Sequence, residues 1–139
     1  MVAINEKAQQ ILDHLIQQLG EKDYIRLQSE TYASLSFERI GEFSSFYGPV
    51  KMYSLLRTST VNSKMMYEPE ICFYHFDDTK NDIDRGTYPY SFQLDLFGIN
   101  QQSIELIDGA FHVQSIMQRQ HTSYANNWLA VIKEQGFIK

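Results

Sequence analysis

Glu68, Glu70, Asp77 and Asp78, the thiol of Cys72 and the imidazole of His75 all fall within residues 65–78, MMYEPEICFYHFDD. Carboxylates with an imidazole can hold a divalent ion for hydrolysis. The residues between them oppose this use. ICFYHF is β-branched and aromatic throughout and follows Pro69, which predicts a strand buried on both faces. Ile71, Phe73 and His75 then share one side, and Cys72, Tyr74 and Phe76 the other. His75 and Asp77 point one way and Glu70 and Asp78 the other, so the donors converge only around a bulge. Asp95 and Glu105 are the carboxylates that neighbouring strands offer. The metal alternative is a nuclease or hydrolase built on Glu70, His75 and Asp95. Lys64 and Lys80, the nearest lysines, fall in predicted loops.

Other chemistries have less support. There is no Gly-x-Ser-x-Gly elbow, and His14, His75, His112 and His121 stand at unrelated positions. His112 and His121 titrate near neutral pH if exposed, but have no nucleophile beside them in sequence. Cys72 lies inside an apolar run, which predicts a core thiol rather than an exposed thiolate. As the sole cysteine it can form neither an internal disulfide nor a thiolate zinc cage. No glycine-rich phosphate loop occurs among the seven glycines, so no cofactor is expected.

The chain has 139 residues with 43% hydrophobic, 14% aromatic and 21% charged positions. This suits a single domain, residues 1–139, with one core. The net charge is −5, and the lysines and arginines stand singly, so direct nucleic-acid binding is not expected. No apolar run is long enough to span a membrane, and MVAINEKAQQ lacks the regions of a signal peptide. A cytoplasmic protein is expected.

These residues need elements to position them. Ala8, Ile11, Leu12, Leu15, Ile16 and Leu19 form one stripe at helical spacing over residues 4–19, with Asn5 as cap and Gly20 as stop. From residue 23 the period falls to two. DYIRLQ, ASLSFERIG and PVKMYSLLRTS are predicted strands, with Leu35 and Phe37 on one face. GEFSSFYGP between the last two is predicted as a loop carrying Phe43, Phe46 and Tyr47, whose rigid rings suit partner contact. Residues 77–88 are a predicted polar loop with Asp77, Asp78, Asp82 and Asp84. Strand character resumes in TYPYSFQLDLFG, with Tyr90, Phe92, Leu94 and Leu96 on one face. Asp108-Gly109 predicts a tight hairpin turn. Tyr124, Trp128, Val131 and Ile132 mark the stripe of a final helix flanked by Ala125 and Leu129. Ser115 with Gln118 predicts a capping box, and Gly136-Phe137 a Schellman ending.

Three motifs carry a resemblance over about residues 24–138: Pro69-Glu70 ahead of Phe73, the Tyr-x-Phe-Gln-x-Asp-x-x-Gly run from Tyr90 to Gly98, and the ending from Trp128 to Gln135-Gly136-Phe137. With these the chain resembles an uncharacterised bacterial domain-of-unknown-function family common on plasmids, phages and integrative elements. It departs from the usual family pattern at Glu68, where Asp precedes Pro-Glu. The resemblance brings no activity. It implies a mobile-element setting, in which small acidic proteins commonly inhibit host defence nucleases by binding them.

The fold expected is α+β, an antiparallel sheet of five or six strands flanked by an N-terminal and a C-terminal helix, with Trp128 at the centre of the helix–sheet contact. The function expected is non-enzymatic. Phe43, Phe46, Tyr47, Asp77, Asp78, Asp82 and Asp84 would bind a protein partner, a basic nucleic-acid-handling effector, in the manner of an anti-CRISPR or antirestriction inhibitor. A homodimer paired through an edge strand is a further alternative.

Overall fold

The computed structural model describes residues 1–76 and 86–138. Helix α1 (Glu6–Leu19) is followed by strands β1 (Tyr24–Leu27), β2 (Leu35–Ser45), β3 (Gly48–Val61), β4 (Lys64–Phe76), β5 (Gly86–Leu94) and β6 (Ile99–Gln102). A single 3-10 turn, Asp95–Phe97, separates β5 from β6. A hairpin of β7 (Ile104–Ile107) and β8 (Ala110–Val113) then leads into helix α2 (Ser115–Glu134). The first six strands make one antiparallel sheet in chain order, and β7 and β8 pair separately. This is the α+β arrangement that the periodicity predicts.

The sheet has two buried faces, and β4 serves both. Ile71 and Phe73 join Leu35, Phe37, Leu55 and Phe92 in a core covered by Leu12 and Leu15 of α1 and Trp128, Leu129 and Ile132 of α2. Cys72, Tyr74 and Phe76 join Val50, Tyr88, Tyr90 and Ile104 in a second core, against which Phe111 and Val113 of the β7–β8 hairpin pack. The continuous apolar run in β4 is therefore the mark of a strand with no solvent face.

Bulges set which residue reaches which core. Cys72 lies opposite Ser91 and Phe73 opposite Pro89, which leaves Tyr90 as an extra residue of β5. Tyr90 thus turns into the hairpin-side core while Phe92 stays on the helix side, not on the one face that alternation alone predicts. Leu96, expected on that face too, is 55% exposed on the 3-10 turn. β4 carries a second bulge at Glu68-Pro69, between the Leu56–Glu70 and Thr58–Tyr67 pairs, and the Glu68-Pro69 peptide bond is cis. Pro69 therefore sits inside the strand rather than at its start, at the kind of position where the ladder spares a proline.

Caps and turns follow the sequence closely in three places. The Asn5 carboxamide oxygen accepts from the Ala8 N–H at 2.8 Å. Asp108 and Gly109 take φ of 52° and 78°, the pair of positive values that a two-residue hairpin turn requires. Gly136, at φ 85°, donates to the Lys133 carbonyl and Phe137 to the Ile132 carbonyl, which makes the Schellman pair and buries the Phe137 ring in the helix-side core.

Two expectations fail around the start of α2. No capping box forms: Gln114 is the N-cap and makes no side-chain bond there. The Gln118 side chain is buried instead, its amide oxygen accepting from the Val2 N–H at 2.7 Å. Its amide nitrogen donates to the Val2 carbonyl at 3.0 Å and the Pro89 carbonyl at 3.3 Å. Thr122 Oγ1 donates to the same Val2 carbonyl. The buried stripe of α2 accordingly passes through Gln118, His121, Thr122, Ala125, Trp128, Leu129 and Ile132, and Tyr124 and Val131 fall at its exposed margin.

Gln118→Ala leaves the Val2 amide N–H, which among the described residues it alone serves, and part of the Pro89 carbonyl's bonding unsatisfied near the interior. Urea denaturation is expected to show a loss of about 1–3 kcal/mol, whereas Gln120→Ala, at an exposed position of the same helix, stays within about 0.5 kcal/mol of wild type.

Candidate functional site

The metal alternative is split by the pleat of β4. Glu70 lies on the side of Cys72 and Ser54, and its Oε2 accepts from the Ser54 hydroxyl at 2.7 Å. His75 lies on the opposite side, edge-on to the Tyr53 ring, with Nδ1 2.7 Å from Thr87 Oγ1. Asp95 is spent locally: its carboxylate accepts from the Tyr67 backbone N–H and the Gln93 amide, both at 2.8 Å. Those two bonds hold its carboxyl below the ordinary carboxylate range. Among the described residues no three His, Cys, Asp or Glu side chains come together. Burial raises the Cys72 thiol pKa, with Ser91 hydrogen bonding acting the other way, so the buried thiol stays protonated at neutral pH.

His14 is half-buried and lines a groove of about 580 Å³ between α1 and α2 with Lys7, Gln10, Ile11, Lys133 and Glu134. His121 is buried, with Nδ1 2.8 Å from Ser103 Oγ and Nε2 2.9 Å from Gln101 Oε1. Desolvation lowers its pKa, and its neighbours serve the fold. His112 is exposed on β8.

Phe43, Phe46 and Tyr47 lie on a hairpin, not a loop. β2 and β3 pair through Phe43–Val50 and Ser45–Gly48, leaving Phe46 and Tyr47 as a two-residue turn. Sequence reasoning missed it because neither turn residue is Asn, Asp or Gly. The positive φ falls one position later, at Gly48, with φ 121°, and only glycine takes that value freely. Ser45 completes the turn: its hydroxyl donates to the Gly48 carbonyl at 2.8 Å and accepts from the Tyr47 N–H at 3.1 Å.

The three rings have different surroundings. Phe43 packs edge-on to Tyr74 and against Phe111, and Tyr47 stacks on Phe111 at 6.4 Å. Phe111 also meets Tyr74 and Phe76, while Tyr74 stacks on Tyr90 with centroids 4.0 Å apart. Among the described residues Phe46 has only the Tyr47 ring behind it, edge-on at 5.5 Å, and it is 77% exposed. The Phe46-Tyr47 turn faces the Asp108-Gly109 turn across a cleft of about 450 Å³, lined also by Met1, Ala110, Phe111 and Val113. Phe111 is the residue that sequence reasoning passed over. Its signal was an aromatic two positions after a tight turn.

The arrangement offers contact area: an exposed ring beside an aromatic cluster, with one carboxylate on the cleft wall. Asp77, Asp78, Asp82 and Asp84 lie outside the described residues. The described strand ends that flank them, Phe76 and Gly86, pair with each other beside Val50, at the same end of the sheet as the Phe46-Tyr47 turn.

The chain belongs to a family defined by a domain of unknown function, DUF6908, which matches residues 4–138 and so takes in α1 as well as the span from residue 24. Comparison with curated proteins finds no match. Comparison with solved structures finds none either.

Because the Asp95 pKa is lowered by bonds made only in the folded state, its contribution is complete above the unfolded carboxylate range and vanishes as pH falls through the folded pKa. Asp95→Asn is therefore expected to lower the melting temperature at pH 7, with the gap to wild type closing towards pH 2. Millimolar Mg²⁺, Mn²⁺ or Zn²⁺ is expected to leave both curves unmoved. A rise in melting temperature with any of these ions, abolished by Glu70→Ala, would restore the metal reading.

Proposed function

We propose that this DUF6908 member is a non-enzymatic protein-binding module whose contact surface is the end of the sheet formed by the Phe46-Tyr47 and Asp108-Gly109 turns. The observation that carries this reading is the exposed Phe46 ring on a hydrogen-bonded turn, edge-on to Tyr47, which in turn stacks on Phe111. Leaving a large ring in water costs free energy, and a turn backbone ordered in advance by Ser45 lowers the entropy that binding would otherwise lose. Both features suit an anchor that enters a pocket on a partner.

The partner we propose is a protein with a basic surface. The net charge of −5 and Asp108 on the cleft wall favour encounter with positive charge. Nucleic-acid-handling proteins present such surfaces. Given the resemblance to a bacterial family of plasmids, phages and integrative elements, the occupant of choice is a host defence nuclease, inhibited in the anti-CRISPR or antirestriction manner. Asp77, Asp78, Asp82 and Asp84 would add to the acidic side of that contact.

Quantitative capture from a bacterial lysate compares wild type with Phe46→Ala at low and high salt. Phe46→Ala is expected to keep the wild-type melting temperature within about 1–2 °C and to weaken capture about 30-fold. Capture is also expected to fall as salt rises. Equal capture by both baits, or a partner held independently of salt, would contradict the reading. Divalent-dependent cleavage of nucleic acid by the purified chain would contradict it too.

A further inference from the structure

Among the described residues, the cleft between the Phe46-Tyr47 and Asp108-Gly109 turns is lined by one charged side chain, that of Asp108. Its carboxylate has no counter-charge within the molecule. The one ion pair among the described residues joins Arg39 to Asp23. Asp108 is therefore paired neither with the α-amino group of Met1, which lines the same cleft, nor with any other cation of those residues.

The rest of the wall is apolar or aromatic. Among the described residues Phe46 meets one other ring, Tyr47, edge-on, and it is 77% exposed, so at least one of its faces is open. Tyr47 and Phe111 stack in the wall beside it, 23° apart in plane. An open aromatic face carries the negative part of the ring quadrupole. The cleft thus sets a carboxylate and a ring face, both attractive to a cation, in largely apolar surroundings.

This combination restricts what can fill it. An apolar side chain would cover the Asp108 carboxylate without pairing it, at a desolvation cost. An acidic one would be repelled. A lysine ammonium can pair with the carboxylate, but it is strongly hydrated and sheds its water poorly against a ring. A guanidinium meets both demands: it is weakly hydrated, lies flat on aromatic faces and donates in a fork that matches a carboxylate.

We infer that the cleft is an arginine-binding site, in which a guanidinium of the partner lies on the Phe46 ring and donates to the Asp108 carboxylate. This rests on the contact surface proposed above and names what that surface reads. The volume of about 450 Å³ admits one long side chain, its aliphatic stem along the apolar wall. Net charge draws any basic partner, whereas a ring beside a carboxylate separates arginine from lysine.

NMR of the isotope-labelled full chain, titrated with Nα-acetyl-arginine amide and with its lysine and citrulline counterparts, tests this. The arginine probe is expected to shift the amides of residues 46–48 and 108–111, with Kd on the order of a few millimolar for a single side chain. Lysine is expected to bind about threefold more weakly or worse, and neutral citrulline to leave these residues unmoved. Asp108→Asn keeps the turn, because asparagine takes positive φ readily, and removes only the charge. Phe46→Leu keeps apolar bulk and removes the ring. Both are expected to hold the wild-type melting temperature within about 1–2 °C and to weaken the arginine probe about threefold or more. No shift of these residues up to about 50 mM probe, equal binding of citrulline, or undiminished binding by Asp108→Asn overturns the inference. If the probe fails while Phe46→Ala still loses the lysate partner, the arginine site falls and the contact surface stands. If Phe46→Ala captures as wild type, both fall.

Discussion

The double burial of β4 is the constraint on which the other elements depend. A strand with Ile71 and Phe73 on one side and Cys72, Tyr74 and Phe76 on the other needs cover on both faces, because either face left in water would expose several large side chains. α1 and α2 supply one cover. The β7–β8 hairpin supplies the other, folding back over the end of the sheet where β4 meets β3 and β5. Each cover is then locked by polar groups: Gln118 and Thr122 fasten the N-terminal segment to α2, while Ser103 accepts the Gln114 N–H and donates its own N–H to the Tyr90 carbonyl.

The second core also explains why an aromatic turn stays fixed in water. Phe111 is the keystone of the hairpin cover, meeting Tyr74 and Phe76 from β4 and Phe43 and Tyr47 from the β2–β3 hairpin. The residues that bury the outer face of β4 are thus the ones that hold the tip carrying Phe46. Fold and contact surface share one set of rings, and the surface needs no separate scaffold.

Much of this was legible in the sequence wherever one local rule decided the outcome. The α1 stripe, the Asn5 cap, the Asp108-Gly109 turn, the Gly136-Phe137 ending and the two-sided character of ICFYHF each follow from spacing or residue type alone. What could not be read depended on partners distant in sequence. Tyr90 departs from Phe92 because one extra residue of β5 is accommodated opposite Cys72 and Phe73, and nothing local to Tyr90 announces it. Gln118 has the spacing of a capping residue, but the Val2 backbone, 116 residues away, claims its amide. The Phe46-Tyr47 turn lacks turn chemistry of its own and borrows it from Ser45 and Gly48. Of the site residues, the sequence already set Glu70 and His75 on opposite faces. It could not show that Asp95 is occupied by the Tyr67 amide.

The hairpin-side core holds the Phe46-Tyr47 turn, and the helix-side core does not depend on it. Hydrogen exchange of Phe111→Ala against wild type measures this directly. Faster exchange is expected only at residues 43–50 and 104–113, with α1, α2 and residues 71–73 of β4 keeping their protection. Uniform loss of protection across the chain, or unchanged exchange at residues 43–50, would contradict it.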